Sequence, residues 1–149
     1  MTKAMRGFTV VLALLLAACS EPSREMRPME VTGTVVAPPG VEGPVEVRLF
    51  VEWALEGELR HPLQLIEIFP AEAGVPFSHR FDYPAYLGKG LAVYAWIDTD
   101  GDGIMCTPTA RNDLGGLAIA ENGDSEKATV AVTLTEPCRA PGWFFPPAP

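Results

Sequence analysis

The chain is poor in positive charge and in histidine, and these two scarcities exclude several functions. Lysine and arginine number 11 against 19 aspartate and glutamate residues, which gives a formal net charge of -8. Nucleic acids and anionic lipid surfaces are bound by basic surfaces, so neither is expected as a partner. The only histidines are His61 and His79, and no Gly-x-Ser-x-Gly, His-Glu-x-x-His or phosphate-binding glycine motif occurs. We therefore expect no enzymatic activity, unless the fold brings a histidine together with two carboxylates.

Long apolar runs are also missing, apart from one short run, 8–16, near the start of the chain. The run follows Lys3 and Arg6 and leads into Leu16-Ala17-Ala18-Cys19, and it is too short to span a bilayer. A basic start, a short apolar run and small residues at its end are typical of a signal peptide. The tetrapeptide resembles the processing site of bacterial lipoprotein precursors. This resemblance implies that residues 1–18 are removed, that the Cys19 sulfur receives a diacylglycerol and that its new amino group is acylated. An ordinary secretory signal that carries a cysteine is the alternative.

The same resemblance implies where the protein lies. Without Lys3 and Arg6, nine basic residues stand against 19 acidic ones, and the formal charge becomes -10. Attachment to a membrane then depends on the acyl chains rather than on charge. Ser20 in place of aspartate implies, by analogy with the family, the outer membrane of a cell with two membranes, on either of its faces. Residues 19–28 are polar and proline-containing, which predicts a flexible tether to the domain.

The other two cysteines, Cys106 and Cys138, form a pair by elimination in an oxidising compartment. A disulfide between them would close a loop of about thirty residues and stabilise the fold by about 3–4 kcal/mol. Two buried thiols are the alternative. Neither cysteine lies in a Cys-x-x-Cys motif, so no thiol chemistry is expected.

Apolar and polar residues alternate with a period of two through most of the remaining chain, and helical periodicity is missing. Seven segments are predicted to be strands, namely 30–36, 45–51, 63–69, 75–81, 91–97, 117–120 and 128–134. The segment 91–97 is apolar on both faces, which predicts a central strand covered from both sides. The pattern predicts an all-β fold over residues 29–135, a single antiparallel β-sandwich of about seven strands of the kind that immunoglobulin-like domains form.

One motif has the spacing of a metal site. Asp98, Asp100 and Asp102 alternate directly after the fifth predicted strand, and glycines between them let the backbone bend around one cation. The carbonyl of Ile104 falls where an EF-hand loop offers its backbone ligand. Asp113, or the neighbouring Asn112 amide, would close the shell from the far side of the loop. Such oxygen ligands suit Ca²⁺, and we expect weak binding, on the order of 0.1–1 mM.

The second half of this motif departs from the EF-hand. Its twelfth position is Thr109 rather than a bidentate glutamate, and Pro108 opposes the helix that an EF-hand requires. A hydrated acidic turn without metal is therefore the alternative. If calcium binds, we expect it to stiffen the loop, because no nucleophile or base lies nearby in the sequence.

The C-terminal segment, residues 136–149, holds five prolines around Trp143-Phe144-Phe145. Prolines exclude a central strand there. If Cys138 is bonded to Cys106, we expect the aromatic trio to fold back and pack over a sheet edge. The alternative is an exposed aromatic patch for a protein partner or a sugar ring.

The arrangement as a whole resembles the transthyretin-like, or carboxypeptidase-regulatory-like, β-sandwiches of bacterial envelope proteins. The resemblance rests on the segments 31–36, 45–51 and 93–103 and on Gly115-Gly116. It implies a non-catalytic structural or binding module, with an unidentified protein or glycan partner in the envelope. The alternative function is a glycan- or ligand-binding module that uses Tyr94, Trp96 or the aromatic trio for stacking.

Overall fold

The structure is a computed structural model that describes residues 25–55, 58–88, 90–104, 112–120 and 125–135. The expected signal peptide, Cys19, Cys106, Cys138 and the segment 136–149 lie outside the described residues, so the predictions made for them stay predictions. Within the described ranges, no helix has the length and apolar character that a membrane span requires.

Seven strands form two sheets, which confirms the predicted all-β sandwich. The strands are β1 Met26–Val36, β2 Pro44–Leu55, β3 Glu58–Glu72, β4 Phe77–Pro84, β5 Gly90–Ile97, β6 Leu114–Ala120 and β7 Lys127–Thr133. One sheet has the order β4-β1-β7 and the other the order β3-β2-β5-β6. The second sheet carries the aspartate motif, because the motif begins where β5 ends.

The core lies between the two sheets and is built by the period-two alternation. In β7 the alternation is complete, with every second residue from Ala128 to Val132 buried. In β2, Val45, Val47, Leu49 and Val51 point inward and are at most 2% exposed. Burying one such side chain stabilises a fold by about 1.5–3 kcal/mol. All eight residues of β5 are buried, as predicted for a strand covered on both faces.

One strand pairing differs from the expected antiparallel arrangement. β1 is antiparallel to β4 but parallel to β7, with pairs that run from Glu30 and Lys127 to Val36 and Thr133. A parallel pair needs a long connection, and the chain from β2 to β6 supplies it. The alternation cannot distinguish the two cases, because side chains have a period of two in both.

The two sheets approach each other closely where β6 meets β7. A Cβ atom on Gly116 of β6 would lie 2.1 Å from the carbonyl oxygen of Thr133, so only glycine fits there. Just beyond β7, the Thr135 N–H donates to the Gly115 carbonyl at 3.0 Å. The described chain therefore ends beside β6, at the edge of the four-stranded sheet.

Candidate metal centre

The aspartate motif occupies the connection between two hydrogen-bonded neighbours, β5 and β6. Ile97, the last residue of β5, pairs with Leu114, the first residue of β6. Asp98 directly follows Ile97, and Asp113 directly precedes Leu114. The antiparallel register therefore brings the two aspartates together although they are distant in sequence.

Four carboxylates meet at this end of the sheet. One oxygen each from Asp98, Asp100, Asp102 and Asp113 lies within 4.8 Å of all the others. Oxygens on opposite sides of a calcium ion, each at 2.3–2.6 Å from it, would be separated by about 4.6–5.2 Å. All four predicted carboxylate ligands therefore fit one coordination sphere of Ca²⁺.

The loop is folded around the Asp98 carboxylate. Its Oδ1 accepts a hydrogen bond from the Gly101 N–H at 2.7 Å, and its Oδ2 accepts one from the Gly103 N–H at 2.9 Å. Both glycines have positive φ, 75° and 72°, which other residues rarely adopt. These two glycines let the backbone turn tightly enough to bring the following carboxylates to the same side.

Asp100 and Asp102 each accept a hydrogen bond from the backbone two residues further on. The Asp102 N–H donates to Asp100 Oδ1 at 3.2 Å, and the Ile104 N–H donates to Asp102 Oδ1 at 2.7 Å. The Asn112 amide donates to Asp100 Oδ2 at 2.9 Å from across the loop. This hydrogen bond, more than any other contact, holds the pKa of Asp100 below its ordinary value. Asn112 thus contacts the cluster through its amide nitrogen.

Asp113 anchors the cluster to the sheet, and it is 3% exposed. Its Oδ2 accepts a hydrogen bond from the Trp96 indole N–H at 3.1 Å, and its Oδ1 accepts one from the Thr99 N–H at 2.9 Å. A buried charge requires such donors. A carboxylate offers about four lone-pair positions, so acceptor capacity is left for a cation. The alternating aspartates of the motif do not by themselves indicate that Trp96 and Thr99 contact this site.

The two strand aromatics considered for sugar stacking are buried, Tyr94 at 1% and Trp96 at 9% exposure. Burial, with a smaller contribution from Asp113, raises the pKa of Tyr94 to about 12. Neither ring presents an open face on which a sugar would stack. The trio 143–145 lies outside the described residues, and its proposed role there is not tested.

His79 meets one carboxylate in the part of the chain that is described. Its Nε2 lies 3.2 Å from Glu67 Oε1, without the geometry of a hydrogen bond. Its ring stacks on Phe69 at 4.0 Å between centroids and an interplanar angle of 5°. Because His79 belongs to β4 and the other two residues to β3, the cluster joins the edges of the two sheets.

No family model and no curated protein matches this chain. Among solved structures, the chain is similar to an alternative pilotin from the type II secretion system of Vibrio cholerae. The two share 19% sequence identity, the match covers 72% of this chain and 96% of that chain, and the TM-score is 0.43. With so low an identity and TM-score, this likeness supports no inference about what the chain binds.

Proposed function

We propose that this protein is a lipid-anchored module of the cell envelope whose β-sandwich is non-catalytic and whose β5–β6 connection binds calcium. The observation that carries the calcium proposal is the meeting of four carboxylates, Asp98, Asp100, Asp102 and Asp113, within one coordination sphere. The ligands are hard oxygens, which suit Ca²⁺.

Electrostatic repulsion supports the same proposal. Two unit charges 4.8 Å apart repel each other by about 1 kcal/mol in water, and by more where solvent is partly excluded. Four carboxylates form six such pairs, and the buried Asp113 belongs to three of them. A divalent cation at the centre attracts all four carboxylates, and this attraction outweighs their mutual repulsion. In a hydrated turn without a cation, only dissolved salt would screen the repulsion.

Calcium would tie the loop to the sheet. Asp98 and Asp113 are fixed by the strand ends, while Asp100 and Asp102 belong to the exposed part of the loop. One ion shared by both pairs would therefore hold the exposed part in place. Calcium at ten times its dissociation constant would stabilise the folded state by about 1.4 kcal/mol.

Terbium luminescence tests the site and its position. Tb³⁺ replaces Ca²⁺ at oxygen sites and emits when a nearby tryptophan is excited, and Trp96 is hydrogen-bonded to Asp113. We expect sensitised emission that calcium displaces, and its loss in the Asp100→Asn/Asp102→Asn variant. Asp82→Asn, which removes an exposed carboxylate on β4, is the matched control. Emission that persists in the double variant, or no emission at all, would disprove the site.

The anchor proposal rests on the sequence Leu16-Ala17-Ala18-Cys19, which lies outside the described residues. The first strand begins at Met26, so a short tether would separate Cys19 from the sandwich. Labelled palmitate supplied to cells is expected to enter the wild-type chain and not the Cys19→Ser variant. Density-gradient separation of the two membranes then tests the proposed outer-membrane location, where recovery with the inner membrane would refute it.

A disulfide between Cys106 and Cys138 is proposed as well. Cys106 follows Ile104 by two residues, and Cys138 follows Thr135 by three. Thr135 is hydrogen-bonded to Gly115, next to the aspartate cluster, so the described residues that precede the two cysteines, Ile104 and Thr135, lie at the same end of the four-stranded sheet. Mass spectrometry after alkylation without reductant would show two unmodified cysteines if the bond exists.

A further inference from the structure

The four-stranded sheet has apolar side chains on both faces. Residues that point away from the core form three rows across the strands, and these twelve residues are called the outer face here. The rows are Pro70, Glu46, Trp96, Gly115; Ile68, Arg48, Tyr94, Leu117; and Leu65, Phe50, Ala92, Ile119.

The centre of the outer face is buried, although its rim is exposed. Ala92, Tyr94 and Trp96 are 0%, 1% and 9% exposed, yet they do not belong to the core cluster between the sheets. At the rim, Leu65, Ile68 and Ile119 are 45%, 44% and 42% exposed. Neighbouring side chains on the same face could cover the methyl group of Ala92. A tyrosine ring on an open sheet face would keep part of its area in contact with solvent, so 1% exposure at Tyr94 requires atoms above the ring as well as beside it. The centre of the outer face is therefore covered.

The described strands do not provide this cover. Every one of them belongs to one of the two sheets, and the three-stranded sheet packs on the opposite face, across the core. The remaining candidates are residues whose side chains the structure does not describe. Residues 52–63 lie at the ends of β2 and β3 beyond the third row, and residues 20–24 are polar or proline. Residues 105–111 contain Met105 as their one large apolar residue, and residues 121–124 are polar or glycine. Residues 1–18 are proposed to be removed.

We propose that the C-terminal segment, residues 136–149, crosses the outer face and covers its centre with Trp143, Phe144 and Phe145. The segment starts in the right place, because Thr135 is hydrogen-bonded to Gly115, which pairs with Trp96 in the first row. From β6 to β3 is three strand spacings, about 14 Å. Trp143 follows Thr135 by eight residue steps, a length that reaches about 26 Å when extended.

The composition of the segment suits a crossing better than an added strand. Its five prolines have no N–H to donate, so the segment would make a poor neighbour for the free edge of β6. Each aromatic ring buries roughly 150–250 Å². The three rings therefore offer enough apolar area to cover a patch three rows long, roughly 14 Å along the strands.

Photo-crosslinking in the full chain tests the proposal directly. Benzoylphenylalanine is placed at position 144 in place of Phe144, the purified protein is irradiated, and the crosslinked peptides are identified by mass spectrometry. We expect crosslinks within one molecule to the outer face, for example to Phe50, Leu117 or Ile119. Crosslinks to the three-stranded sheet, to a second copy or to another protein would overturn the proposal.

A second measurement uses Trp96 as the reporter. In a Trp53→Phe/Trp143→Phe background, Trp96 is the one remaining tryptophan. The variant Trp143→Ser/Phe144→Ser/Phe145→Ser, made together with Trp53→Phe, is expected to raise the acrylamide quenching constant of Trp96 severalfold. Pro146→Ser/Pro147→Ser in the first background leaves this constant unchanged. Equal quenching in both variants would overturn the proposal. If the serine variant does not fold, the crosslinking result decides alone.

Discussion

Removal of the Asp113 side chain is the sharpest perturbation of the link between the sheet and the loop. Asp113→Ala deprives the Trp96 indole and the Thr99 backbone N–H of their acceptor. A hydrogen bond to a charged group contributes about 1.5–3 kcal/mol, so two of them amount to about 3–6 kcal/mol. Relief of the three repulsive pairs that include Asp113 returns about 3 kcal/mol without calcium at low salt, but only about 0.5 kcal/mol in 1 M salt, where the Debye length is about 3 Å. In 1 M salt we expect a net loss of about 2.5–5.5 kcal/mol in the free energy of unfolding.

Urea unfolding followed by far-ultraviolet circular dichroism measures this loss, because tryptophan fluorescence would also report the changed environment of Trp96. The measurement is made in chelator and 1 M salt, so that neither metal binding nor repulsion among the carboxylates contributes appreciably. Asp82→Ala, at an exposed carboxylate on β4, is expected to change the free energy of unfolding by less than about 0.5 kcal/mol. A loss below about 1 kcal/mol for Asp113→Ala would refute the anchoring role.

Three further predictions concern other contacts. Gly116→Ala should cost about 1–3 kcal/mol in urea unfolding, because the new Cβ meets the Thr133 backbone; a neutral result would contradict the close approach. Tyr83→Phe should cost about 1 kcal/mol, since the buried hydroxyl donates to a backbone carbonyl; an unchanged urea midpoint would argue against this. Asn112→Ala should raise the Asp100 pKa, measured by carboxylate carbon-13 NMR. The lowered native pKa adds stability above the ordinary value of 3.8 that is lost on acidification, so this variant should lose less stability at low pH.

The sequence predicted the strands whose alternation is regular, and it was least informative where glycine and proline interrupt the pattern. The sixth strand was expected at 117–120, whereas β6 begins at Leu114. Gly115 and Gly116 carry no apolar signal, but β7 approaches too closely for a side chain at Gly116. β3 is longer than expected at both ends, because a strand at the sheet edge tolerates its prolines.

The convergence of the carboxylates could be predicted from the sequence, whereas the contacts that support them could not. Alternate spacing and glycines were enough to indicate that Asp98, Asp100 and Asp102 converge. The contact of Trp96 with Asp113 depends on the pairing of β5 with β6, which no local pattern encodes. The same limit applies to the parallel pairing of β1 with β7, because it is a property of the whole chain path.

Calorimetric titration of calcium into the full chain tests the central claim most directly. The account predicts saturable binding at one site with a dissociation constant on the order of 0.1–1 mM. The heat should disappear in the Asp100→Asn/Asp102→Asn variant and persist in Asp82→Asn. No heat of binding up to several times the upper end of that range, or equal binding in the double variant, would contradict the account.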